Sequence, residues 1–266
     1  MIEITILVDN KVVDLRPQKL KAEWGFSVLV RRNSDLLLFD TGQTGIALDN
    51  LLLLTEEIPK KIVLSHGHYD HTGGLESFLH VAKERLEIFA HPDAFLPRIY
   101  KGEYIGIPFK REKIESYANI VEHKEPVKVF KGIWALGEIP RKEKTALLAD
   151  SFIIRDKKKE NDKILDDQSL AIKTDKGTVL ILGCCHSGLE NTVNYAQEVS
   201  SDEVRYIIGG THLIAYKDSE IMELAKKIKV ELIAPCHCTG LRAEFLLQNV
   251  FGDKCKIVGS GSTVKI

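Results

Sequence analysis

Short apolar runs that end in polar residues recur along the chain and predict an α/β fold. Apolar runs of about four to eight residues fit buried strands, and longer runs with apolar positions three or four apart fit helices. In the first half, a strand and a hairpin precede alternating helices and strands. The predicted strands are residues 2–8, 26–30, 36–39, 62–64 and 86–90, and the predicted helices are residues 46–54 and 75–85.

The second half repeats the order of the first. A hairpin, a polar turn, a helix and a strand that ends at a histidine follow one another, so that Asp40 corresponds to Cys184 and His66 to His212. Such a duplication favours two sheets related by a pseudo-twofold axis, each covered by helices. The predicted strands here are residues 170–172, 179–182, 206–208 and 232–234, the helices are residues 189–199 and 219–228, and residues 255–266 predict a closing strand pair.

Between these halves the periodicity weakens. Residues 93–141 combine prolines, glycines and tyrosines, and we predict an inserted lid, since a long irregular segment in a compact domain is usually functional. Strand character returns at residues 127–139 and ends in a polar turn, which makes Glu138 and Arg141 candidate substrate-binding residues. The charged residues 155–167 predict a solvated loop.

The densest polar cluster in the chain directly follows the strand predicted at residues 62–64. His66, His68, Asp70 and His71 place three imidazoles and one carboxylate within six positions. Imidazole nitrogens suit zinc, iron, nickel or copper, and a single carboxylate among histidines is usual where a coordination position stays open for water. This cluster therefore predicts a metal site, and its size allows two adjacent ions.

Other polar residues also directly follow apolar runs. They are Asp40, Cys184, His186, His212 and His237. Because ligands gather at the carboxyl ends of strands that share a direction, we expect these side chains and the histidine cluster to lie at one edge of the sheets. Asp40 either caps the backbone at the end of its strand or hydrogen-bonds to a ligand histidine and fixes its orientation.

The pattern His-x-His-x-Asp-His followed by Thr-Gly-Gly, at residues 66–74, resembles the signature of the metallo-β-lactamase superfamily. The resemblance implies a four-layer αβ/βα sandwich, here as a single domain over residues 1–266, with one or two metal ions used mostly for hydrolysis. It also implies that His66 and His68 bind one ion, and that Asp70, His71 and His237 bind the second.

The chain departs from that family pattern at the third histidine of the first ion. No histidine lies between His123 and Cys184, and Cys184 occupies the place of the family's bridging residue. We favour His186 as the missing ligand, because Asp167 lies in a stretch typical of a polar turn before a strand. Asp167 and Cys184 stay as alternatives.

The resemblance extends to one branch of the superfamily, often labelled dihydropterin ribofuranosylaminobenzene phosphate synthase. The segments that carry it are Gly-Cys-Cys-His, Gly-Gly-Thr-His and Pro-Cys-His-Cys-Thr-Gly. We predict a hydrolase in which metal-activated water attacks a phosphate ester or a related small molecule, with Asp70 orienting the nucleophile and His212 contacting substrate or protonating the leaving group. The alternatives are a non-hydrolytic pterin-forming synthase and, less favoured because His68 is not a carboxylate, a di-iron redox protein.

Composition and charge limit the kinds of partner and cofactor that we expect. The 266 residues carry a net charge of −1, with 37 basic and 38 acidic side chains, which gives no global attraction to nucleic acid or to an anionic membrane. The sequence lacks an apolar run long enough for a membrane span or the basic start of a signal peptide, and its five cysteines do not suggest a disulfide framework. We expect a cytoplasmic enzyme with a small-molecule substrate, phosphorylated or pterin-like, and two divalent ions, zinc or else manganese or iron. A homo-oligomer is also possible.

Overall fold

A computed structural model describes residues 1–13 and 19–266. These residues form a mixed α/β fold, as predicted, in two compact units. Unit 1 comprises Met1–Lys124, Leu148–Asp166 and Gly259–Ile266, and unit 2 comprises Glu125–Leu147 and Asp167–Val258. The single-domain organisation inferred from the sequence stays a prediction.

Strands and helices are numbered here in chain order. The strands are β1 (Ile2–Val8), β2 (Ser27–Arg32), β3 (Asp35–Phe39), β4 (Lys61–Val63), β5 (Leu86–Ala90), β6 (Arg98–Tyr100), β7 (Glu103–Tyr104), β8 (Ala118–Glu122), β9 (Val127–Phe130), β10 (Ile133–Ala135), β11 (Ser151–Arg155), β12 (Lys158–Asn161), β13 (Ser169–Thr174), β14 (Gly177–Leu182), β15 (Val204–Gly210), β16 (Leu232–Cys236) and β17 (Thr263–Lys265). The α-helices are α1 (Ile46–Leu54), α2 (Tyr69–Thr72), α3 (Leu75–Val81), α4 (Arg111–Tyr117), α5 (Leu189–Ser200), α6 (Asp218–Lys227) and α7 (Leu241–Phe251).

Unit 1 is built on a seven-stranded sheet with the order β17-β1-β2-β3-β4-β5-β8. Strands β3, β4, β5 and β8 run parallel, while β1, β2 and β17 pair antiparallel. Its core joins Leu38, Ile62 and Ile88 of the sheet to Leu51 of α1 and Phe78 of α3. A second sheet of this unit has the order β12-β11-β6-β7.

Unit 2 is built on a six-stranded sheet with the order β16-β15-β14-β13-β10-β9. Strands β14, β15 and β16 are parallel neighbours, so their carboxyl ends lie side by side. Leu180, Ile207 and Ile233 of these strands pack with Ala196 of α5 and Leu247 of α7 in one core cluster. This parallel arrangement positions the polar residues that follow each strand.

The repeated order predicted from the sequence is confirmed. Hairpin β2–β3, helix α1 and parallel strand β4 recur as hairpin β13–β14, helix α5 and parallel strand β15.

Helix α3 ends at Val81 rather than at residue 85, because Ala82 adopts an extended backbone. The predicted closing strand pair is wrong, since β17 is the one strand there and Cys255 makes an isolated bridge to Ile233. Helix α7 was not predicted.

Residues 93–141 are not the irregular segment that we predicted. They contain strands β6 to β10 and helix α4, and β8 extends the main sheet of unit 1 by pairing with β5. Strand β8 lies at the edge of the sheet, and Ala118 is its one buried residue. The alternation of apolar and polar residues is therefore weak in this strand, as expected of an edge strand. Movement of any part as a lid stays a prediction.

Residues 155–167 also differ from the predicted solvated loop. The exposed strand β12 forms there by pairing antiparallel with β11, although it contains no apolar residue. Backbone pairing to a neighbouring strand outweighs the charged composition at this sheet edge. Among the described residues, no helix is long and apolar enough to span a bilayer.

Candidate metal centre

The histidine cluster of unit 1 lies at the carboxyl ends of two parallel strands. Phe39 of β3 pairs with Val63 of β4, and the next amide, Asp40 N–H, donates to the Val63 carbonyl at 2.9 Å. Asp40 has a backbone φ of 59°, a left-handed conformation that non-glycine residues rarely adopt and that is common at functional sites. The backbone therefore turns sharply to bring the Asp40 carboxylate beside the loop that contains His66.

The Asp40 carboxylate is the centre of a buried hydrogen-bond network. Its Oδ1 accepts the Ser65 amide at 2.7 Å, and its Oδ2 accepts the Ser65 hydroxyl at 2.6 Å. Oδ2 also lies 2.7 Å from Nδ1 of His71. Since a carboxylate oxygen is an acceptor, His71 must donate from Nδ1. Asp40, Ser65 and His71 are fully buried, so these contacts fix the ring orientation of His71.

The same network determines the tautomers of two histidines. Because the Ser65 hydroxyl donates to Asp40, its oxygen accepts from Nδ1 of His66, which lies 2.8 Å away. A neutral histidine protonated at Nδ1 has a lone pair at Nε2. His66 and His71 both present such a nitrogen, which is the arrangement found where an outer hydrogen bond orients a metal-ligating histidine.

The donor atoms of this cluster converge. Nε2 of His66 lies 2.8 Å from Nδ1 of His68, and the His66 and His71 rings are 4.3 Å apart. Nε2 of His71 is 3.8 Å from the Asp70 carboxylate. Burial raises the pKa of the Asp70 carboxyl, while the charge of His71 lowers it, and a bound cation would favour the ionised form. The cluster therefore fits a divalent metal of the zinc type.

A buried ion network that the sequence did not predict supports the loop between His66 and His68. The Gly67 amide donates to the Asp166 carboxylate at 2.7 Å, and the fully buried Arg98 forms ion pairs with Asp166 and Asp162. A side chain at Gly67 would meet the Ala94 carbonyl at 2.1 Å. Arg98 gave no sequence signal, because a single arginine in a weakly periodic segment has no distinguishing neighbours.

In unit 2, three polar turns follow the parallel strands β14, β15 and β16. Cys185, His212 and His237 in these turns have φ values of 60°, 51° and 50°, the same left-handed conformation as Asp40 in unit 1. His186 and His237 are buried, and His212 is half-buried. Within each unit, the predicted gathering of polar residues at the carboxyl ends of parallel strands is confirmed.

His186 is held in a defined orientation. Its Nδ1 lies 2.8 Å from the Ala146 carbonyl, which can only accept, so Nδ1 carries the proton and Nε2 the lone pair of the neutral ring. The next residue, Ser187, donates its amide to Asp167 at 2.8 Å, and Arg141 donates to the Ser187 hydroxyl at 3.3 Å. These contacts favour Asp167 as the residue that holds the His186 turn, rather than as a ligand in its place.

The remaining candidates lie near these turns. Half-buried Glu138 lies in the turn after β10, where the Gly137 amide donates to buried Gln168 at 3.0 Å. The His212 ring is 4.3 Å from the His186 ring, and Cys184 is buried. The roles of Glu138, Arg141, Cys184 and His212 stay predictions.

Comparisons with known proteins place these features in context. The Metallo-beta-lactamase superfamily profile matches residues 25–145. The Methanocaldococcus jannaschii protein MJ0448, which is uncharacterized, is 37% identical over 96% of this chain and 99% of its own. From the same organism, a 7,8-dihydropterin-6-methyl-4-(beta-D-ribofuranosyl)-aminobenzene-5'-phosphate synthase is 29% identical over 92% of this chain and 90% of its own.

A solved structure agrees with these sequence matches. Tm1679, described as a metal-dependent hydrolase of the beta-lactamase superfamily, has a TM-score of 0.88 and 28% identity, covering 100% of this chain and 99% of its own. The similarity extends over the full length of both chains. It confirms the predicted fold class.

Proposed function

The chain belongs to the metallo-beta-lactamase superfamily, and from this premise we propose that it is a metal-dependent hydrolase. We propose a phosphate ester or a related small molecule as its substrate. In unit 1 the proposed metal ligands are His66, His68, Asp70 and His71. In unit 2 we retain His186 and His237 as proposed ligands and Glu138 and Arg141 as proposed substrate contacts, on the sequence pattern.

The observation that carries this proposal is the Asp40–Ser65 network. Asp40 and Ser65 accept the Nδ1 protons of His71 and His66, so both neutral rings have their lone pair at Nε2, the nitrogen that would bind a metal. Holding ligands in this way matters for catalysis, since residues behind the ligands commonly affect metal affinity or activity 10- to 100-fold, as an order of magnitude. A structural cluster of histidines would not require such defined tautomers.

The protein's own residues have separate tasks in the proposed reaction. A bound zinc would supply a water of lowered pKa and would stabilise negative charge that develops on the substrate. Asp40 keeps the His71 ring in place, and burial of His66 and His71 excludes water from their donor atoms. Asp70, whose carboxylate lies beside His71, orients the attacking water and accepts its proton.

Metal content and hydrolysis test this proposal together. We expect purified protein to retain zinc, manganese or iron through dialysis and to hydrolyse generic phosphodiester or thioester substrates. His68→Ala should lose most of the bound metal and the activity, because Nδ1 of His68 meets Nε2 of His66 at the proposed site. Elemental analysis and initial rates provide the readout.

The matched control is His80→Ala, which removes an exposed histidine of α3. It should leave both metal content and rate unchanged. Equal metal stoichiometry in wild-type protein and His68→Ala would contradict the proposed ligand set.

A second candidate function is supported by the 29% identity to the dihydropterin-forming synthase over 92% of this chain. In that case the same metal ligands would serve a non-hydrolytic, pterin-forming reaction. The two candidate functions require different substrates. Turnover with a dihydropterin donor, together with no hydrolysis of phosphate esters or thioesters by metal-loaded protein, would favour the synthase.

A further inference from the structure

Two thiols and an imidazole lie together in unit 2. Cys184, His212 and Cys238 follow the neighbouring parallel strands β14, β15 and β16 in that order. One donor atom from each residue lies within 4.8 Å of the other two. Both cysteines are buried and His212 is half-buried. Each strand of the parallel set therefore contributes one soft or borderline donor.

The backbone is shaped to admit the Cys238 sulfur. A Cβ at Gly210, the last residue of β15, would lie 2.6 Å from Cys238 Sγ and 2.3 Å from the Gly183 carbonyl. Real Cβ atoms do not approach other atoms so closely, so any larger residue at Gly210 would displace the thiol. The sulfur also lies 3.5 Å from the Cys184 carbonyl, which brings it beside the turn that contains the other thiol.

Hydrogen bonds fix the turns that contain His212 and Cys238 relative to each other. The Thr211 amide and hydroxyl both donate to the Thr239 hydroxyl, at 3.1 and 2.9 Å. Both threonines are buried and each is adjacent to a donor residue. His212 itself has a left-handed backbone, which is costly for a residue with a side chain. The positions of both donor residues are thus determined by the fold.

We propose that Cys184, His212 and Cys238 together form a binding site for a thiophilic divalent cation of the zinc class. Tetrahedral zinc with two sulfurs at about 2.3 Å and a nitrogen at about 2.0–2.1 Å would bring the donors to about 3.5–3.8 Å from one another. Two cysteines and one histidine leave a fourth position open, as in zinc sites that also bind water or substrate.

This site gives His212 and Cys184 new roles. His212 becomes a ligand, in place of the proton donor or substrate contact considered from the sequence. Cys184 becomes a ligand of this site, in place of a supporting residue or an alternative ligand of the first ion. Cys238 had no predicted role. It is therefore the residue that separates this proposal from the hydrolase proposal, whose ligand set does not include it.

Cobalt substitution of the full-length protein provides the test. The protein is stripped of metal, its thiols are reduced and counted, and Co²⁺ is added without oxygen. Coordinated thiolates give a near-ultraviolet sulfur-to-cobalt charge-transfer band. We expect this band in the wild type, about half of its intensity in Cys238→Ser and Cys184→Ser, and weaker cobalt binding in His212→Ala.

Two controls make the result specific. Cys255→Ser removes another buried thiol of unit 2, whose pKa burial raises to about 11, and it should keep the full band. His68→Ala should also keep the band, because it removes one imidazole of the histidine cluster and retains Cys184, His212 and Cys238. Zinc-loaded His68→Ala should then show a sulfur shell at about 2.3 Å by X-ray absorption, a measurement that requires no change in unit 2.

Three outcomes would overturn the site. A full band in folded Cys238→Ser would exclude Cys238 as a ligand. No band in reduced wild-type protein, or no sulfur shell in zinc-loaded His68→Ala, would exclude thiolate coordination altogether. Loss of activity in His68→Ala with the band retained would support both proposals independently.

Discussion

Units 1 and 2 use the same backbone arrangement to present different chemistry. In each, a hairpin, a helix and a parallel strand precede polar turns, and a left-handed residue occurs where a strand ends, Asp40 in unit 1 and Cys185 in unit 2. The donors of unit 1 are imidazoles and a carboxylate. Those of unit 2 include two thiols. The repeated topology therefore determines where donors lie, while the residues in the turns determine which ligand they suit.

The two units also differ in how their donor loops are held. In unit 1 a carboxylate, Asp40, orients the rings, and the buried ion pairs of Arg98 support the Gly67 amide. In unit 2 a carbonyl orients the His186 ring, the Asp167 carboxylate accepts the Ser187 amide, and the Thr239 hydroxyl joins neighbouring turns. Charged contacts in a buried setting are worth more when intact and cost more when broken. Unit 1 should therefore be the more sensitive to single substitutions.

The largest effect should come from Arg98→Ala. Removal of this cation leaves the carboxylates of Asp162 and Asp166 buried without a counter-charge, and we expect a loss of about 3–5 kcal/mol in the free energy of unfolding. Urea denaturation followed by circular dichroism measures it. The matched control, Arg155→Ala, removes a more exposed arginine that pairs with Asp93, and it should cost about 1 kcal/mol or less.

The deficit of Arg98→Ala should also depend on pH. Burial raises the pKa of the Asp162 carboxyl, which the Arg98 charge partly offsets, so loss of Arg98 raises that pKa further. A group with a raised folded-state pKa stabilises the fold below its unfolded pKa and loses that contribution as pH rises through the folded value. The deficit should therefore shrink on acidification. A deficit that grows as pH falls would contradict a buried-charge origin.

A smaller effect, confined to unit 1, is expected for Asp40→Asn. The amide cannot accept from Ser65 and from Nδ1 of His71 as a carboxylate does, so the His71 ring loses its fixed tautomer. We expect metal affinity at the histidine cluster to fall about 10- to 100-fold. Competition with a chromogenic chelator measures this loss. Unchanged metal affinity in folded Asp40→Asn would show that Asp40 does not orient a ligand.

Sequence patterns indicated most of the proposed donors because these histidines occur in short motifs directly after apolar strands. The residues that hold those donors in place were harder to predict from the sequence. Ser65 lies inside the motif, but serine is common in turns and does not stand out there. Asp166 contacts Gly67 although the two residues are 99 positions apart in the chain. Such long-range contacts depend on which strands become neighbours, which local periodicity does not encode.

The fold shows the same limit. Strands buried on both faces, such as β14, were predicted from their apolar runs, whereas the edge strands β8 and β12 were not. An edge strand is determined by backbone pairing with its neighbour, and its side chains can remain polar. Charged residues at 158–161 therefore look like a loop in the sequence and form a strand beside β11.

The smallest effect should be that of Thr239→Val in unit 2. The change removes the hydroxyl that accepts from the Thr211 amide and hydroxyl, and a lost neutral hydrogen bond costs about 1 kcal/mol. Cobalt affinity at the thiol site should fall less than about 10-fold, with the band shape unchanged, as titration would show.

Thr174→Val removes a hydroxyl bonded to Gly177 in the β13–β14 hairpin, away from the carboxyl end of β14, and it should leave cobalt affinity unaltered. Equal losses of cobalt affinity in both variants would attribute the effect to general destabilisation of the sheet. A loss in Thr239→Val larger than that of metal affinity in Asp40→Asn would reverse the expected order and show that unit 2 depends more on its hydroxyl contacts than unit 1 does on its carboxylate.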